Sequence, residues 1–430
     1  MQETESRLEQ FVAQVARDEN IPVETLRQRI ASGVVSILGA PGHAGVHPIG
    51  VGHGLRAKVN ANIGISGPPF DMETALTQLR AALDAGADAV MDLSCAGDLD
   101  AIRHALLREC PAPFGTVPMY QAAADAIAQH GSLAKATAED ILAAFERHVT
   151  DGVDFFVAHA GLTREVVDVL KASSRALPVV SRGGSLMLSW MAATGAENPL
   201  YAQFDWLLDL AAKHGATISL GDALRSGCIH DALDEPKIRE VIVLGDLVKR
   251  ARQRGVHVLV EGPGHVPLHL VNELVDLIKR LCHGAPLYLL GPLVTDVAPG
   301  YDHIVAAIGA AVAAARGADF ICYVTPSEHA GLPMADAVRQ GVIASRIAAH
   351  AGDIARGLPG AADMDREMTA ARARLDWERQ AQCAIDPERL RTLHGDALPA
   401  RGEPCTMCGD MCAIRITGEA LDLWPRSPAA

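Results

Sequence analysis

The sequence lacks a run of apolar residues long enough to cross a membrane. Its most apolar stretch, 306–315, is rich in alanine and is followed at once by Arg316. A membrane-spanning helix needs about 20 apolar residues, so this stretch predicts a packed helix. The polar, acidic opening MQETESRLEQ also lacks the apolar core of a signal peptide. We therefore expect a cytoplasmic protein with no membrane partner.

An excess of basic residues is also missing. The 38 Lys and Arg residues are outnumbered by 52 Asp and Glu residues, and the net charge is −14. Because binding to a nucleic-acid backbone requires a basic face, this charge argues against a nucleic-acid partner. The 9 cysteines are odd in number and scattered, which does not indicate a disulfide framework.

Three of the cysteines stand close together, as C-T-M-C-G-D-M-C. Cys405, Cys408 and Cys412 supply three thiolates, which suit a cubane iron–sulfur cluster with one iron left open to a small molecule. The alternative is a zinc knuckle, which needs a fourth ligand nearby. His394 and Cys383 are the nearest upstream candidates, and neither stands at zinc-finger spacing. The spacing therefore favours the cluster.

Short apolar runs alternate with amphipathic segments along most of the sequence. Fully apolar strands are typical of parallel sheets covered on both faces, and so many β-α units favour an α/β fold of the (β/α)8, TIM-barrel type. Nine strands are predicted, one more than the barrel holds, at 58–63, 89–93, 115–118, 154–158, 178–181, 216–220, 256–261, 286–290 and 319–323.

The barrel is predicted to occupy residues 56–360. A short N-terminal region, 1–55, is predicted to be helical at first and then irregular where Gly and His become frequent. Residues 361–430 are predicted to form a helical extension that carries the cysteine motif, with helices at 363–380 and 386–393.

Polar residues recur at the carboxyl ends of the predicted strands. In a barrel these ends converge on one face, where active sites form. Any one of the residues could instead cap a helix or pack in the core, but the whole set in register is hard to explain in that way. The set comprises Asn60, Asn62, Asp92, Ser94, Tyr120, His159, Ser181, Arg182, Asp222, Arg225, Glu261, His265, Tyr288, Glu328 and His329.

Glycine-rich turns at 181–184, 221–225 and 261–265 accompany these residues. Glycine lets backbone N–H groups approach an anion, and Arg182 and Arg225 supply charge-assisted hydrogen bonds. We expect a phosphorylated substrate, although each turn alone could be an ordinary βα connection. His265 and His329 could hold Zn²⁺ or Fe²⁺ with open positions, but the pairing alone is a weak signal.

Nine runs of residues cover the predicted strand ends and the turns after them. The runs are KVNANIG (58–64), GADAVMDLS (86–94), FGTVPMYQA (114–122), HAG (159–161), VSRGG (180–184), SLGDALR (219–225), VEGPGHVPL (260–268), LGPLVTDVAPGYDHI (290–304) and CYVTPSEHAGLP (322–333). They closely resemble the phosphomethylpyrimidine synthase family, a non-standard radical S-adenosylmethionine (SAM) family that includes 5-hydroxybenzimidazole synthases. The resemblance covers about residues 45–415, and the short first region is similar to that of the compact members.

The resemblance implies a radical SAM carbon–carbon lyase of thiamin synthesis. Members convert aminoimidazole ribotide into hydroxymethylpyrimidine phosphate, with release of formate and carbon monoxide. A reduced 4Fe–4S cluster splits SAM to a 5′-deoxyadenosyl radical, which takes a hydrogen atom from the ribose. By motif, Cys405, Cys408 and Cys412 would hold the cluster, and His265 and His329 a divalent metal, zinc or iron.

The resemblance also implies which residues contact the ribotide and which partners the protein has. The family tail is thought to reach the active site of a partner subunit, so a homodimer is implied, together with an electron donor such as flavodoxin or ferredoxin. The residues implied to line the substrate are Asn62, Met91, Tyr120, His159, Ser181, Arg182, Gly183, Asp222, Ala223, Leu224, Arg225, Glu261 and Tyr288.

Three segments depart from the family pattern. The usual turn D-G-L-R-P-G reads D-A-L-R-S-G here, so that Ala223 restricts positive φ and Ser226 removes the rigidity of a proline. Cys95-Ala96-Gly97 stands where Thr-Gly-Gly is usual. The second gap of the cysteine motif is one residue shorter than in the long bacterial members.

Two alternatives remain open. A 5-hydroxybenzimidazole synthase uses the same substrate and radical to make a cobalamin precursor in anaerobes, so the shared motifs cannot separate the two products. The altered turn at Ala223 and Ser226 slightly favours that alternative, and the thiamin function stays the main prediction because it is commoner. A non-catalytic metal-binding scaffold is the other alternative, and the intact cysteines and histidines argue against it.

Overall fold

A computed structural model of the chain describes residues 2–395, 398–421 and 423. Its contacts divide the chain into two compact units, Met1–Leu358 and Pro359–Ala430. The first unit contains the N-terminal region and the barrel, and the second contains the cysteine motif. The predicted three-part division, at residues 55 and 360, stays a prediction.

Two helices and a small sheet precede the barrel. The helices α1 (Gln2–Asp18) and α2 (Val23–Ala31) lie where the sequence predicts helices. The strands β1 (Val35–Leu38) and β2 (Ile49–Gly52) form an antiparallel pair in the segment predicted to be irregular. This pair forms because β1 is buried against the apolar faces of both helices, in a cluster that includes Phe11.

Eight parallel strands close into a barrel, which confirms the predicted fold class. Each strand pairs with the next along the chain, and the last pairs with the first, Cys322 standing opposite Asn60. The barrel strands are β3 (Lys58–Ile63), β4 (Ala89–Asp92), β5 (Phe114–Thr116), β6 (Phe155–Ala158), β7 (Thr217–Leu220), β8 (Val258–Glu261), β9 (Leu287–Leu290) and β10 (Phe320–Cys322).

Helices follow the barrel strands and cover them from outside, as parallel strands require. Among the described residues no helix is both long and apolar enough to span a bilayer. The helices of the first unit that follow β3 are α3 (Met72–Asp84), α4 (Leu99–Glu109), α5 (Pro118–His130), α6 (Ala138–Thr150), α7 (Arg164–Ala172), α8 (Arg182–Thr194), α9 (Pro199–Ala202), α10 (Phe204–His214), α11 (Glu235–Gln253), α12 (Val271–Leu281), α13 (Asp302–Arg316) and α14 (Ala335–Ala355).

The predicted strand at 178–181 is wrong, which explains the ninth candidate. The segment is a loop between α7 and α8, inside the long connection from β6 to β7. Pro178 has no N–H to donate to a sheet, and its carbonyl accepts instead from the Arg175 guanidinium. Val180 is 39% exposed, unlike the barrel strands. Two apolar residues after a proline therefore resemble a strand in sequence but have no sheet to join.

The second unit is helical, as predicted, with one break. Leu375 adopts a left-handed conformation (φ 47°), and the Asp376 side chain then caps a new helix, so the predicted helix 363–380 is two. The helices are α15 (Asp363–Ala373), α16 (Trp377–Cys383), α17 (Pro387–His394) and α18 (Ala413–Ala420).

Candidate active site

The carboxyl ends of the barrel strands surround a cavity of about 520 Å³. Strands β3, β4, β8 and β9 each place a predicted site residue on its wall. The first turn of α5 adds Tyr120, and the connections after β6 and β7 add the others. The predicted residues on this wall are Asn62, Met91, Tyr120, His159, Ser181, Arg225, Glu261 and Tyr288. The in-register pattern of strand ends therefore corresponds to one site at the carboxyl face of the barrel.

His159 is held between the start of α8 and the end of β7. Its Nε2 lies 3.0 Å from the Ser181 hydroxyl, whereas its buried Nδ1 has no partner among the described residues. A Cβ at Gly183 would lie 2.2 Å from His159 Cε1, so only glycine permits this approach. Burial and the nearby Arg225 lower the pKa of His159 to about 3. The ring is therefore neutral and offers one free nitrogen to a ligand.

The start of α8 combines a cap, free N–H groups and an arginine. Ser181 is the N-cap residue, and its hydroxyl accepts from the Gly184 N–H at 3.2 Å. The first N–H groups of a helix have no acceptor within the helix, so those of Arg182 and Gly183 can bind an anion. The Arg182 guanidinium lies over the Tyr120 ring, 5.2 Å from its centroid. Burial raises the pKa of Tyr120, which keeps the phenol neutral.

A chain of hydrogen bonds crosses the cavity floor. The Asn60 amide donates to the Tyr288 hydroxyl at 2.7 Å and to Asn62 Oδ1 at 2.8 Å, and the Asn62 amide lies 2.9 Å from Cys322 Sγ. Burial raises the pKa of Tyr288 well above its ordinary value and that of Cys322 to about 12. Both groups therefore remain protonated donors.

Glu261 joins the floor to the turn after β7. Its Oε1 accepts from the Ser219 hydroxyl at 2.8 Å and its Oε2 from the Asp222 N–H at 3.2 Å. Burial raises the pKa of Glu261, and these two hydrogen bonds and Arg225 oppose that rise. The side chain is the acidic group on the cavity wall.

Asp222, Ala223 and Leu224 lie beneath the cavity and do not line it. All three are at most 1% exposed, and two side chains of α11 bind them. The Lys237 ammonium pairs with the Asp222 carboxylate, and Glu240 accepts from the N–H groups of Ala223 and Leu224. Lys237 and Glu240 were not predicted as site residues, because both stand on α11, more than ten residues beyond the turn.

Beside this cavity lies a larger one, of about 1100 Å³. The two share Asn62 and Leu93, and the larger is also lined by Arg182, Glu328 and His329. The predicted substrate residue Arg182 therefore belongs to the second cavity, within reach of the first through their shared wall.

The predicted metal histidines lie next to each other. The ring centroids of His265 and His329 are 5.2 Å apart. Nδ1 of His265 is 2.7 Å from Asp296 Oδ1, and Nδ1 of His329 is 2.8 Å from Asp302 Oδ1. A carboxylate on one ring nitrogen is the usual support of a metal-binding histidine, and it leaves Nε2 free on each ring. Both carboxylates stand in the run 290–304 and were missed as partners.

The cysteine motif belongs to the second unit and forms a series of tight turns. The Gly409 N–H donates to the Cys405 carbonyl at 3.0 Å, and the Met411 N–H donates to the Cys408 carbonyl at the same distance. Cys412 is the N-cap residue of α18. All three cysteines are free. No three metal-binding side chains converge in the described part of the chain, but three free thiols within eight residues fit the ligand chemistry of a cluster.

The model of the radical SAM ThiC family matches residues 2–419. The chain belongs to this family. A radical SAM protein works with a 4Fe–4S cluster and SAM, so the chain is an enzyme of that class. The predicted family resemblance is thereby confirmed.

Relatives of the same family are similar over almost their whole length. Phosphomethylpyrimidine synthase of Desulforamulus reducens is 51% identical over 413 residues, 96% of each chain. The Moorella thermoacetica protein of that name is 53% identical, over 95% of this chain and 94% of its own. Among solved structures, a Coxiella burnetii dihydropteroate synthase covers 70% of this chain and 94% of its own at 13% identity and a TM-score of 0.40, too distant a likeness to bear on function.

Proposed function

We propose that this radical SAM ThiC family member is a phosphomethylpyrimidine synthase, which converts aminoimidazole ribotide into hydroxymethylpyrimidine phosphate. The observation that carries the proposal is the identity of 51–53% to proteins of that name over 95–96% of this chain. The cavity supports it, because eight of the residues that the resemblance assigns to the ribotide line one wall.

The phosphate of the ribotide would lie at the start of α8. The free N–H groups of Arg182 and Gly183 and the positive end of the helix favour an anion there. Arg225, on the wall of the same cavity, supplies a charge-assisted hydrogen bond. Gly184 and Ala223 bring these two segments together, since a Cβ at Gly184 would lie only 2.8 Å from the Ala223 Cα.

The imidazole and ribose would occupy the enclosed part of the cavity, among neutral and acidic groups. His159 offers Nδ1 to a polar atom of the substrate, and the Tyr288 and Cys322 hydrogens stay in place because both groups have a raised pKa. Glu261 can accept a hydrogen bond from the amino group of the ring.

Cys405, Cys408 and Cys412 would hold the 4Fe–4S cluster. When bound, the cluster and SAM supply the radical that starts the reaction. Three protein thiolates leave one iron without a protein ligand, which is the position SAM requires. Met407 and Met411 stand between the cysteines of the motif and are 87% and 82% exposed, which leaves this segment an apolar surface for contact. A homodimer and a small electron-transfer partner, flavodoxin or ferredoxin, complete the proposal.

His265 and His329 would hold a divalent metal, zinc or iron, through Nε2. Their carboxylate partners fix both rings and raise their basicity as ligands. The larger cavity beside His329 leaves room for a further ligand from SAM or substrate. Replacing His329 with Ala should lower the metal content while the cluster stays intact, as measured by metal analysis of the purified protein.

The test of the function is an anaerobic incubation of reconstituted protein with aminoimidazole ribotide, SAM and a strong reductant, analysed by mass spectrometry. We expect a pyrimidine phosphate together with 5′-deoxyadenosine. The matched control is Cys408→Ala, which removes one exposed thiol. This variant should keep its fold and form neither product.

Other results of the same incubation would contradict the proposal in different ways. Hydroxybenzimidazole as product would assign the chain to cobalamin synthesis, and Cys95, Ala223 and Ser226 would be the first residues to exchange. A protein that stays colourless after reconstitution with iron and sulfide would favour the non-catalytic scaffold. Formation of 5′-deoxyadenosine by Cys408→Ala would contradict the cluster assignment.

A further inference from the structure

Three charged side chains are buried together beneath the turn that carries Arg225. Asp222 begins this turn, and Lys237 and Glu240 stand one helical turn apart on α11. The Lys237 ammonium donates to both carboxylates, at 3.2 Å to Glu240 Oε2. All three side chains are at most 2% exposed. Such burial is costly for charged groups unless each is paired, so the cluster has a specific role.

The turn is held by charged side chains on both its N–H and its carbonyl groups. Glu240 Oε1 accepts from the Ala223 N–H at 2.8 Å, and Glu240 Oε2 accepts from the Leu224 N–H at 3.1 Å. On the other side the Arg175 guanidinium donates to the Leu224 carbonyl at 2.6 Å. Charge-assisted hydrogen bonds are about twice as strong as neutral ones. The position of Arg225 therefore depends on this cluster.

Asp222 also carries an acceptor without a partner. Its Oδ2 is buried without a donor in the described part of the chain, while its Oδ1 receives the Lys237 ammonium. The Lys237 ammonium therefore offsets carboxylate charge directly beneath the turn that is to meet a phosphate.

We propose that Lys237 and Glu240 are positioning residues for phosphate recognition, which hold the turn 222–225 so that Arg225 and the start of α8 meet the same phosphate group. Neither side chain lines the cavity, so both act through the backbone and Asp222. Because Gly184 packs closely against Ala223, a displacement of the turn would also displace the start of α8. This proposal rests on the proposed function, because it takes the ribotide phosphate as the anion.

The experiment measures binding of two ligands that differ only in the phosphate. Dissociation constants of aminoimidazole ribotide and of its riboside are determined with the reconstituted full-length protein, without reductant so that no turnover occurs. The variants are Glu240→Gln, which keeps size and an acceptor oxygen, and Lys237→Met. The matched control is Asp246→Asn, which removes an exposed carboxylate of α11 that pairs with Lys249 at 3.0 Å.

We expect the preference for ribotide over riboside to fall about tenfold in both variants, the equivalent of one lost charge-assisted hydrogen bond. The preference should stay at the wild-type value in Asp246→Asn. If Lys237 and Glu240 had only a structural role, replacing them would weaken the binding of ribotide and riboside equally. An unchanged preference for ribotide in a folded variant therefore overturns the proposal. If Lys237→Met does not fold, the binding preference of Glu240→Gln alone tests the proposal. If the wild-type protein bound ribotide and riboside equally well, the placement of the phosphate at the start of α8 would be contradicted. The present proposal would then be contradicted too.

Discussion

The two ends of the barrel differ in how their buried polar groups are satisfied. At the amino ends of the strands, buried charges are paired: His43 with Asp154 at 2.6 Å, and Lys58 with Glu19 at 2.8 Å. At the carboxyl ends, buried atoms of three polar side chains have no partner in the described part of the chain. These atoms are Asn60 Oδ1, His159 Nδ1 and Asp222 Oδ2.

This contrast indicates that the amino end of the barrel serves stability and that the carboxyl end serves function. An unpaired buried polar group costs about 1–3 kcal/mol, a cost that a ligand or an ordered water removes when it binds there. Two arginine Nε atoms at the ends of helices near the amino end are also unpaired in the described part of the chain, so the contrast concerns the side chains of the barrel strands and their turns. Asp154 alone accepts from the Ala40 N–H at 2.5 Å, the Phe114 N–H at 2.6 Å and His43. We expect changes at this end to affect folding and changes at the other end to affect binding.

The largest effect on activity should follow from Arg225→Met at the carboxyl end. Removing one partner of a buried charge pair costs about 2–5 kcal/mol, so kcat/KM should fall by roughly 100-fold or more. The melting temperature should change by less than about 2 °C, since no described contact of the barrel core depends on this guanidinium. Steady-state kinetics and calorimetry measure the two quantities. A folded, active variant with a much lower melting temperature would contradict the comparison.

The opposite result should follow from Asp154→Asn at the amino end. This change leaves the His43 imidazolium buried without its partner, at a cost of about 3–5 kcal/mol. For a unit of this size the melting temperature should fall by about 5 °C, with kcat/KM of the folded protein unchanged. Asp276→Asn is the control, because it breaks an exposed pair with Arg316 and should barely change the melting temperature.

The amino end should also lose stability as the pH rises. Nδ1 of His43 faces Asp154 and its Nε2 lies 3.0 Å from the Leu107 carbonyl, so both ring nitrogens act as donors and the ring is charged. Burial opposes this charge, but the hydrogen bond and charge of Asp154 outweigh it and raise the pKa of His43.

Because the folded-state pKa is raised, the stabilisation is fully present below the unfolded-state value of about 6.5 and is lost as the pH rises through the folded-state value. The difference in melting temperature between wild type and Asp154→Asn should therefore shrink from pH 6 to pH 9. A difference that stays constant over this range would show that His43 is neutral.

The fold could be predicted from the sequence because its signals are local. Apolar runs such as 286–290 mark buried parallel strands, and the barrel begins at the predicted strand 58–63, as the structure has it. The hairpin of β1 and β2 was not predicted, since its strands are stabilised by α1 and α2 and not by their own pattern. The loop at 178–181 was mistaken for a strand for the converse reason: its apolar residues have no sheet beside them.

The site was predictable as far as it lies at strand ends. His159 follows β6, Glu261 ends β8 and Tyr288 lies within β9, and the structure places them on one wall. Their partners were not predictable, because pairing depends on packing between distant turns and helices. Lys237 lies 15 residues beyond Asp222, with nothing in its own segment to mark it as buried. The cysteine motif is a local pattern, so it can be recognised in the sequence without knowledge of the fold.

The smallest effect should come from a hydroxyl in the turn that departs from the usual family pattern. Ser226 stands where the family usually has proline, and its hydroxyl donates to the His265 carbonyl, while the His265 N–H donates to the Ser226 carbonyl at 3.0 Å. A proline would keep the second bond but not the first. The turn that carries Arg225 is thus tied to the histidine proposed to bind the metal, and Ala223, without positive φ, is accommodated in the same turn.

Replacing Ser226 with Ala should cost about 1 kcal/mol at this link and weaken zinc binding about fivefold, as measured by competition with a chelating dye. The control is Ser173→Ala, which removes a similar hydroxyl bond, 2.7 Å from the Leu170 carbonyl, at the end of α7. Equal metal affinity in both variants would mean that the hydroxyl only stabilises the turn. A loss of metal affinity in Ser226→Ala but not in Ser173→Ala would show that the Ser226 hydroxyl supports metal binding. At the carboxyl end of the barrel, a hydroxyl that already has a hydrogen-bond partner would then still contribute to ligand binding.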